Sequence, residues 1–241
     1  MTLAMTPTMT PTMTLRAIKP QHETRRRILD AAEELFMQHG FEGASMRLLT
    51  AKAGVNLAAV NYHFGSKDAL IEAVFKRRLD PMNAARLAEL DRLEKEAGGE
   101  PLSAEVIISA FIGESLAMVE DGNNGGRNFV RLLGRTYTEP SKPIRHLIGG
   151  MYADTMVRFK AAFSRALPEL PGDELFWRMH FMFGTLAYTL AATDSVQLIA
   201  GFKPEDRHDS RALQTRLASF LTAGLLGSLQ GAATNGARKA A

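Results

Sequence analysis

Between Ser45 and Phe64 the chain places two helix-length runs on either side of a single glycine. The first, Ser45-Met46-Arg47-Leu48-Leu49-Thr50-Ala51-Lys52-Ala53, opens on a capping serine and is stopped by Gly54. The second runs from Asn56, a good N-cap, to Phe64. Val60 and Phe64 stand four apart and share one side of a helix, roughly with Leu57, so that side is expected to pack inward. Ala58, Ala59, Asn61, Tyr62 and His63 are left around the remaining surface. Small residues early in a helix let its backbone come close to another molecule. Asn, Tyr and His then offer donors and acceptors to a base edge or a phosphate. Helix, glycine turn and a second helix with a polar tip is the helix-turn-helix pattern, whose second helix enters the DNA major groove.

The flanking sequence is helical too. Ile28, Ala31, Ala32, Leu35 and Phe36 recur at helical spacing, which predicts a helix over 24–39 with Gly40 as its stop. Arg25, Arg26 and Arg27 crowd the first turn of that helix, where cations face the positive end of the dipole. An anion is therefore expected nearby, with a solvated basic face as the alternative. Residues 1–20 repeat a Met-Thr-Pro-Thr unit and are expected to be disordered, because proline every few residues blocks helix; an arm carrying Arg16 and Lys19 to DNA is the alternative. After Gly65, Ser66-Lys67-Asp68 caps a new helix over 67–79, which Pro81 is expected to kink or restart, with helix continuing to Ala97. Helices are further expected over 103–120, 127–136, 142–167, 172–194 and 210–230. No segment sustains an alternation of period two. The expected fold is all-α: a leader (1–20), a helix-turn-helix domain (21–66), a larger ligand-binding and dimerisation domain (67–230) and a flexible tail (231–241).

With 241 residues, 46% of them apolar, the chain can bury a substantial core. A formal charge of +3 is too small to argue for nucleic acid by itself, so the location of the charge matters more. The absence of cysteine removes disulfides, thiolate metal sites and Cys nucleophiles, and suits a reducing cytosol. No secretory signal or membrane span is legible, and a cytoplasmic location is expected. Neither Gly-x-Ser-x-Gly nor His-Glu-x-x-His occurs, and the calcium-like start at Asp121 ends on Leu132 where glutamate is required. No enzyme, cofactor or metal site is expected.

Ile28 to Phe36 with its Ile-x-x-Ala-Ala-x-x-Leu-Phe spacing, Gly40-Phe41-x-Gly43, Arg47, Ala53-Gly54-Val55, Tyr62-x-Phe64, and Ser66-Lys67 followed by Leu70 together resemble the DNA-binding domain of the TetR family of bacterial regulators. Ala58-Ala59 stands where that family usually has Gly-Thr, and Asn61 where it usually has an aromatic residue, so an operator sequence does not carry over. Three segments, 55–64, Phe129-Val130-Arg131-Leu132-Leu133-Gly134 and 174–182, are similar to the PsrA-type, fatty-acid-responsive subgroup. That likeness implies repression of fatty-acid degradation genes, relieved by a long-chain fatty acid or its CoA thioester.

The candidate DNA-facing residues are Arg47, Asn56, Ala58, Ala59, Asn61, Tyr62, His63 and Lys67. Arg47 is of a type that reads guanine bidentately, while Lys67 beside free N–H groups of a helix start makes a phosphate clamp. Asn56 has a second reading as a cap alone. Candidate ligand-contacting residues are Phe111, Met118, Phe129, Met151, Phe159, Phe176, Trp177 and His180, with Arg131, Arg135 and Arg145 for an anionic head group. Plain core, or a paired surface charge, is the bland alternative for each. Two stripes, Gly184-Ala187-Ala191-Ala192 and Leu217-Phe220-Leu221-Gly224-Leu225, are spaced for packing against a symmetry mate, and intramolecular core is their alternative. The sequence therefore points to a homodimeric, ligand-released repressor of a palindromic double-stranded operator, with no membrane partner. A multidrug-sensing repressor of an efflux pump is the nearest rival. An acyl-binding carrier or enzyme is the rival from another class, and lacks a nucleophile or acid/base pair.

Overall fold

The computed structural model describes residues 12–120, 126–138, 142–190 and 210–228. The expected leader up to Pro11, the loop starting at Asp121, Ala191, Ala192 and the tail after residue 228 lie outside the described residues, as do the side chains of Arg16, Lys19, Arg135 and Arg145. The described residues form helices α1 (Thr12–Gly43), α2 (Met46–Ala53), α3 (Leu57–Phe64), α4 (Lys67–Glu96), α5 (Ala104–Glu120), α6 (Gly126–Thr138), α7 (Lys142–Ala166), α8 (Gly172–Leu190) and α9 (Ser210–Leu226), with no strand among them. The all-α architecture expected from the sequence is what forms.

Two elements depart from expectation. α1 begins at Thr12, so the latter part of the expected disordered leader is helical. Leu15, Arg16, Ala17 and Lys19 are good helix formers, and Pro20 removes only one donor from the ladder. At its other end the regular helix stops at Gly40, which sits at φ 70° and ψ 177° before one further turn. α4 is continuous through Pro81, which lies at an exposed position, so of the two expectations, a kink or a restart, the restart does not occur.

The contacts divide the chain into two compact units, one ending at Arg77 and the other beginning at Arg78. The first unit thus keeps the opening turns of α4, beyond the boundary expected at residue 66. The reason is apolar: Leu70, Ile71, Val74 and Phe75 of α4 are buried, as are Ile28, Ala32, Leu35 and Phe36 of α1, Leu49 of α2 and Val60 of α3. Phe41 links these layers, its ring 5.4 Å from Phe36 and 5.9 Å from Phe75. Each such side chain taken fully out of water contributes about 1.5–3 kcal/mol. Arg77 closes the unit by pairing with Asp30 at 2.6 Å and with Glu33.

The second unit packs α5 at its centre. Ile107, Ile108, Phe111 and Ile112 of α5 share a core with Leu90 of α4, Phe159 and Phe163 of α7, Leu175, Met179 and Met182 of α8, and Leu217, Leu221 and Leu225 of α9. These three leucines of α9 were candidates for a dimer stripe, and they face inward. Arg178 fastens α8 to the end of α9, donating to the Leu225 carbonyl and to Glu174 at 2.8 Å.

Candidate nucleic-acid interface and ligand cavity

The helix-turn-helix is built from local caps. Ser45 Oγ accepts from the Leu48 N–H, starting α2. Gly54 ends it in the left-handed conformation, φ 61° and ψ 41°, and its N–H returns to Ala51 and Thr50 carbonyls. Arg27 reaches across from α1 and donates Nη2 to the carbonyls of Ala53 and, at 2.8 Å, Gly54. A cation thus sits on the negative end of α2. The left-handed backbone favours glycine at 54, and a Cβ there would lie 2.6 Å from Arg27 Nη2, so the end of that side chain would have to shift from its place. Asn56 then caps α3, its Oδ1 accepting from Ala59 N–H at 2.8 Å. Asn56 is therefore a cap in this structure.

The three arginines thought to await an anion are otherwise engaged. Arg27 caps α2, Arg25 lies 5.2 Å from the centre of the Phe64 ring, and Arg26 pairs with Glu23 at 2.7 Å and Asp30 at 3.1 Å. The Arg26 hydrogen bond holds the Glu23 carboxyl below its ordinary range. The premise also fails, since α1 starts at Thr12 and these residues are nowhere near its positive end.

On α3, Val60 is buried while Asn61 and Tyr62 are exposed, Tyr62 by 73%. The Tyr62 ring meets the half-buried His63 edge-on at 5.2 Å. Ala58 is exposed, Ala59 half-buried, and Arg47 exposed on α2. Leu57 departs from expectation: it is 51% exposed, because the first residue of the helix projects past the core that Val60 reaches. Lys67 is half-buried and its Nζ lies 3.5 Å from the Glu42 carbonyl, a long contact that leaves the ammonium at the surface beside the α3 terminus. The result is a short helix with a mixed polar tip, held rigidly at both ends.

In the second unit a cavity of about 500 Å³ opens between α4, α5, α6, α7 and α8. Its wall includes Phe111, Val130, Leu133, Ile148, Tyr152, Met156, Phe183 and Leu186, with Arg86, Ser115, Thr136 and His180 as polar members. That size suits a small organic ligand. Of the ligand candidates, Phe111 and His180 line it. Phe159 stands directly behind, its ring 5.1 Å from Phe111, and Phe129 is core. Met118 and Met151 are half-buried away from the wall, and Arg131 is exposed outside it. Phe176 and Trp177 are also exposed, on the outer face of α8, where they form an aromatic cluster with His180 and Phe181.

Sequence reasoning missed Arg86. It sits on the buried face of α4 between Leu79, Met82, Asn83 and Leu90, only 1% exposed. A cation at a helical interval between apolar residues was the available signal. Among the described residues no group of three or more His, Cys, Asp or Glu could hold a metal. No helix there is long and apolar enough to cross a membrane.

Residues 28–74 match the family model for bacterial regulatory proteins of the tetR family, and residues 109–224 match one for a tetracyclin repressor-like C-terminal domain. The transcriptional regulator SrpR of Pseudomonas putida is 42% identical over 60 residues, covering 25% of this chain and 28% of SrpR. The transcriptional repressor AcnR of Corynebacterium efficiens is 38% identical over 66 residues, 27% of this chain and 32% of AcnR. These likenesses thus span only about a third of the relatives' own length. Two solved structures share the fold at 15% identity. The fatty acid degradation regulator FadR of Bacillus halodurans has a TM-score of 0.60 over 84% of this chain and 96% of its own. FadR of Bacillus subtilis in complex with stearoyl-CoA has 0.58 over 83% and 98%.

Proposed function

We propose a function on one premise: the chain belongs to the tetR family of bacterial regulatory proteins. It acts in the cytoplasm as a homodimeric repressor that binds a palindromic operator and is released by a long-chain acyl ligand, a fatty acid or acyl-CoA. The genes controlled are those of fatty-acid degradation.

The observation that carries this reading is the pairing of an exposed recognition helix in one unit with a largely apolar cavity in the other. Tyr62, Asn61 and Arg47 offer hydrogen-bonding groups at the surface of α2 and α3, and two such heads about one DNA turn apart read a palindrome. Phe, Leu, Ile, Val, Met and Ala side chains with three glycines make up most of the cavity wall, suited to an acyl chain whose methylenes each contribute about 0.8 kcal/mol on burial. The fold shared with two FadR structures, one holding stearoyl-CoA, supports the same ligand class.

The dimer is supported by what α8 and α9 leave uncovered. Phe176, Trp177, Phe181 and Tyr188 of α8 and Phe220 of α9 are each at least half exposed, and the first three rings form one exposed cluster of the kind that supports an interaction site. α4 supplies Val74 to the first unit and Arg86 to the second. A ligand that prefers one arrangement of α4 changes operator affinity by its differential affinity for the two states.

The test is a mobility shift with an operator selected from random duplex DNA, titrated with acyl chains of rising length. Release that strengthens with chain length and then levels off is expected. Inertness of every acyl compound, with release by a flat cationic drug, would replace this reading by a multidrug-sensing one.

A further inference from the structure

We propose that Arg86 anchors a carboxylate inside the cavity, so that the effector enters as a free acid with its charged end inward. This rests on reading the cavity as the effector site.

Arg86 is 1% exposed yet lines the cavity. Its Nε donates to the Phe111 carbonyl at 2.9 Å, Nη1 to Asn83 Oδ1 at 3.2 Å, and Nη2 to Ser115 Oγ at 2.5 Å. The Phe111 ring centre lies 4.0 Å from its guanidinium carbon, and that of Tyr152 5.8 Å. Every one of these partners is neutral. Among the described residues no carboxylate pairs with Arg86, whereas Arg26, Arg77, Arg92, Arg158, Arg165 and Arg178 all have one.

A guanidinium cannot shed its proton, so this charge is buried whatever the pH. Removing it from water without a counter-charge is costly, and neutral acceptors with an aromatic face offset only part of that. A guanidinium presents five N–H donors, and the three bonds here leave two for a ligand. A carboxylate fits such a fork with charge-assisted bonds. Tyr152 lines the same wall and brings a further hydroxyl donor, whereas the one O–H of Ser115 is given to Met82 Sδ at 3.9 Å.

The polarity of entry follows. An acyl-CoA is a neutral thioester at the acyl end and carries its phosphates at the other, so it brings no anion to Arg86. A free acid does. A purely structural role for Arg86, strapping α4 to α5 through Phe111 and Ser115, predicts no preference between an acid and its ester.

Calorimetric titration of the full chain with palmitate, methyl palmitate and palmitoyl-CoA, below their micelle concentrations, separates these. Wild-type protein should bind the acid at least tenfold more tightly than the ester. Arg86→Gln should bring the acid down to the level of the ester, and Arg86→Lys should keep part of the difference. Equal binding of acid and ester by the wild type overturns the proposal, as does a preference that survives in Arg86→Gln, or a thioester tighter than the acid. Should circular dichroism show Arg86→Gln unfolded, the wild-type comparison and Arg86→Lys decide. If none of the three binds the wild type, the acyl reading itself falls. If ester or thioester binds as well as the acid, only the Arg86 assignment does.

Discussion

Arg27 Nη2 donates to the Gly54 carbonyl at 2.8 Å, tying the first helix of the DNA-binding unit to the turn that aims the recognition helix. The bond joins residues far apart in sequence and sits on the end of a helix whose own carbonyls have run out of donors. It makes the turn part of the scaffold.

Arg27→Ala should therefore lower unfolding free energy by about 1–3 kcal/mol, the worth of hydrogen bonds from a charged donor to part-buried carbonyls. Gly54→Ala should cost about 1 kcal/mol from its left-handed backbone, with any further loss coming from displacement of the Arg27 tip from the Gly54 carbonyl. Urea unfolding of both variants, followed by far-ultraviolet dichroism, measures this. An unchanged midpoint for Gly54→Ala would mean that the turn relaxes freely.

Tyr62→Ala should weaken specific operator binding by roughly 1–3 kcal/mol with the fold intact, because Tyr62 projects from α3 and supports no core. Lys67→Ala should weaken binding to all duplexes and reduce the salt dependence by about one ion. Fluorescence anisotropy at several salt concentrations separates the two effects. If neither variant changes the isotherm, α3 does not face DNA.

Gly224→Leu should split the proposed dimer without unfolding the protomer. Gly224 is exposed on α9 and a Cβ there meets nothing within 4 Å among the described residues, so the added bulk points to where the proposed second copy would pack. Light scattering after gel filtration reads the mass. A wild-type monomer at micromolar concentration would remove the dimer from the proposed function.

Arg77→Met should destabilise the first unit by about 1–3 kcal/mol, since it removes the charged donor that bonds the buried Glu33 carboxylate and that of Asp30. Thermal unfolding of Arg77→Met beside the double variant with Glu33→Gln is the check. The double variant should recover part of the loss, and no recovery would show that the pair is not coupled.

The helix-turn-helix was legible because its signals are local. Serine and asparagine caps and the glycine stops act within a turn of where they stand, so spacing along the chain was enough. What escaped depended on distant packing. Arg25, Arg26 and Arg27 were read against a helix start that lies at Thr12, and Leu57 was assigned inward by spacing although the core ends at Val60. Periodicity likewise gave the faces of α9 but not which one has a neighbour: Leu217, Leu221 and Leu225 face the core, and Phe220 faces out. For the cavity, aromatic residues were easy to name and hard to place. Phe111 lines it and Trp177 does not, and its buried cation, Arg86, came from α4, for which no ligand contact was expected.

The chain has one tryptophan, and the fold has put it in an informative place. Trp177 is 52% exposed on α8, its ring 5.9 Å from that of His180, which borders the cavity. Tryptophan emission, excited where the four tyrosines do not absorb, therefore comes from this single position beside the His180 ring. Covering the outer face of α8 should shift the emission to the blue, and filling the cavity beside His180 should alter its intensity. The proposed dimer and the proposed ligand can thus both be followed without a label.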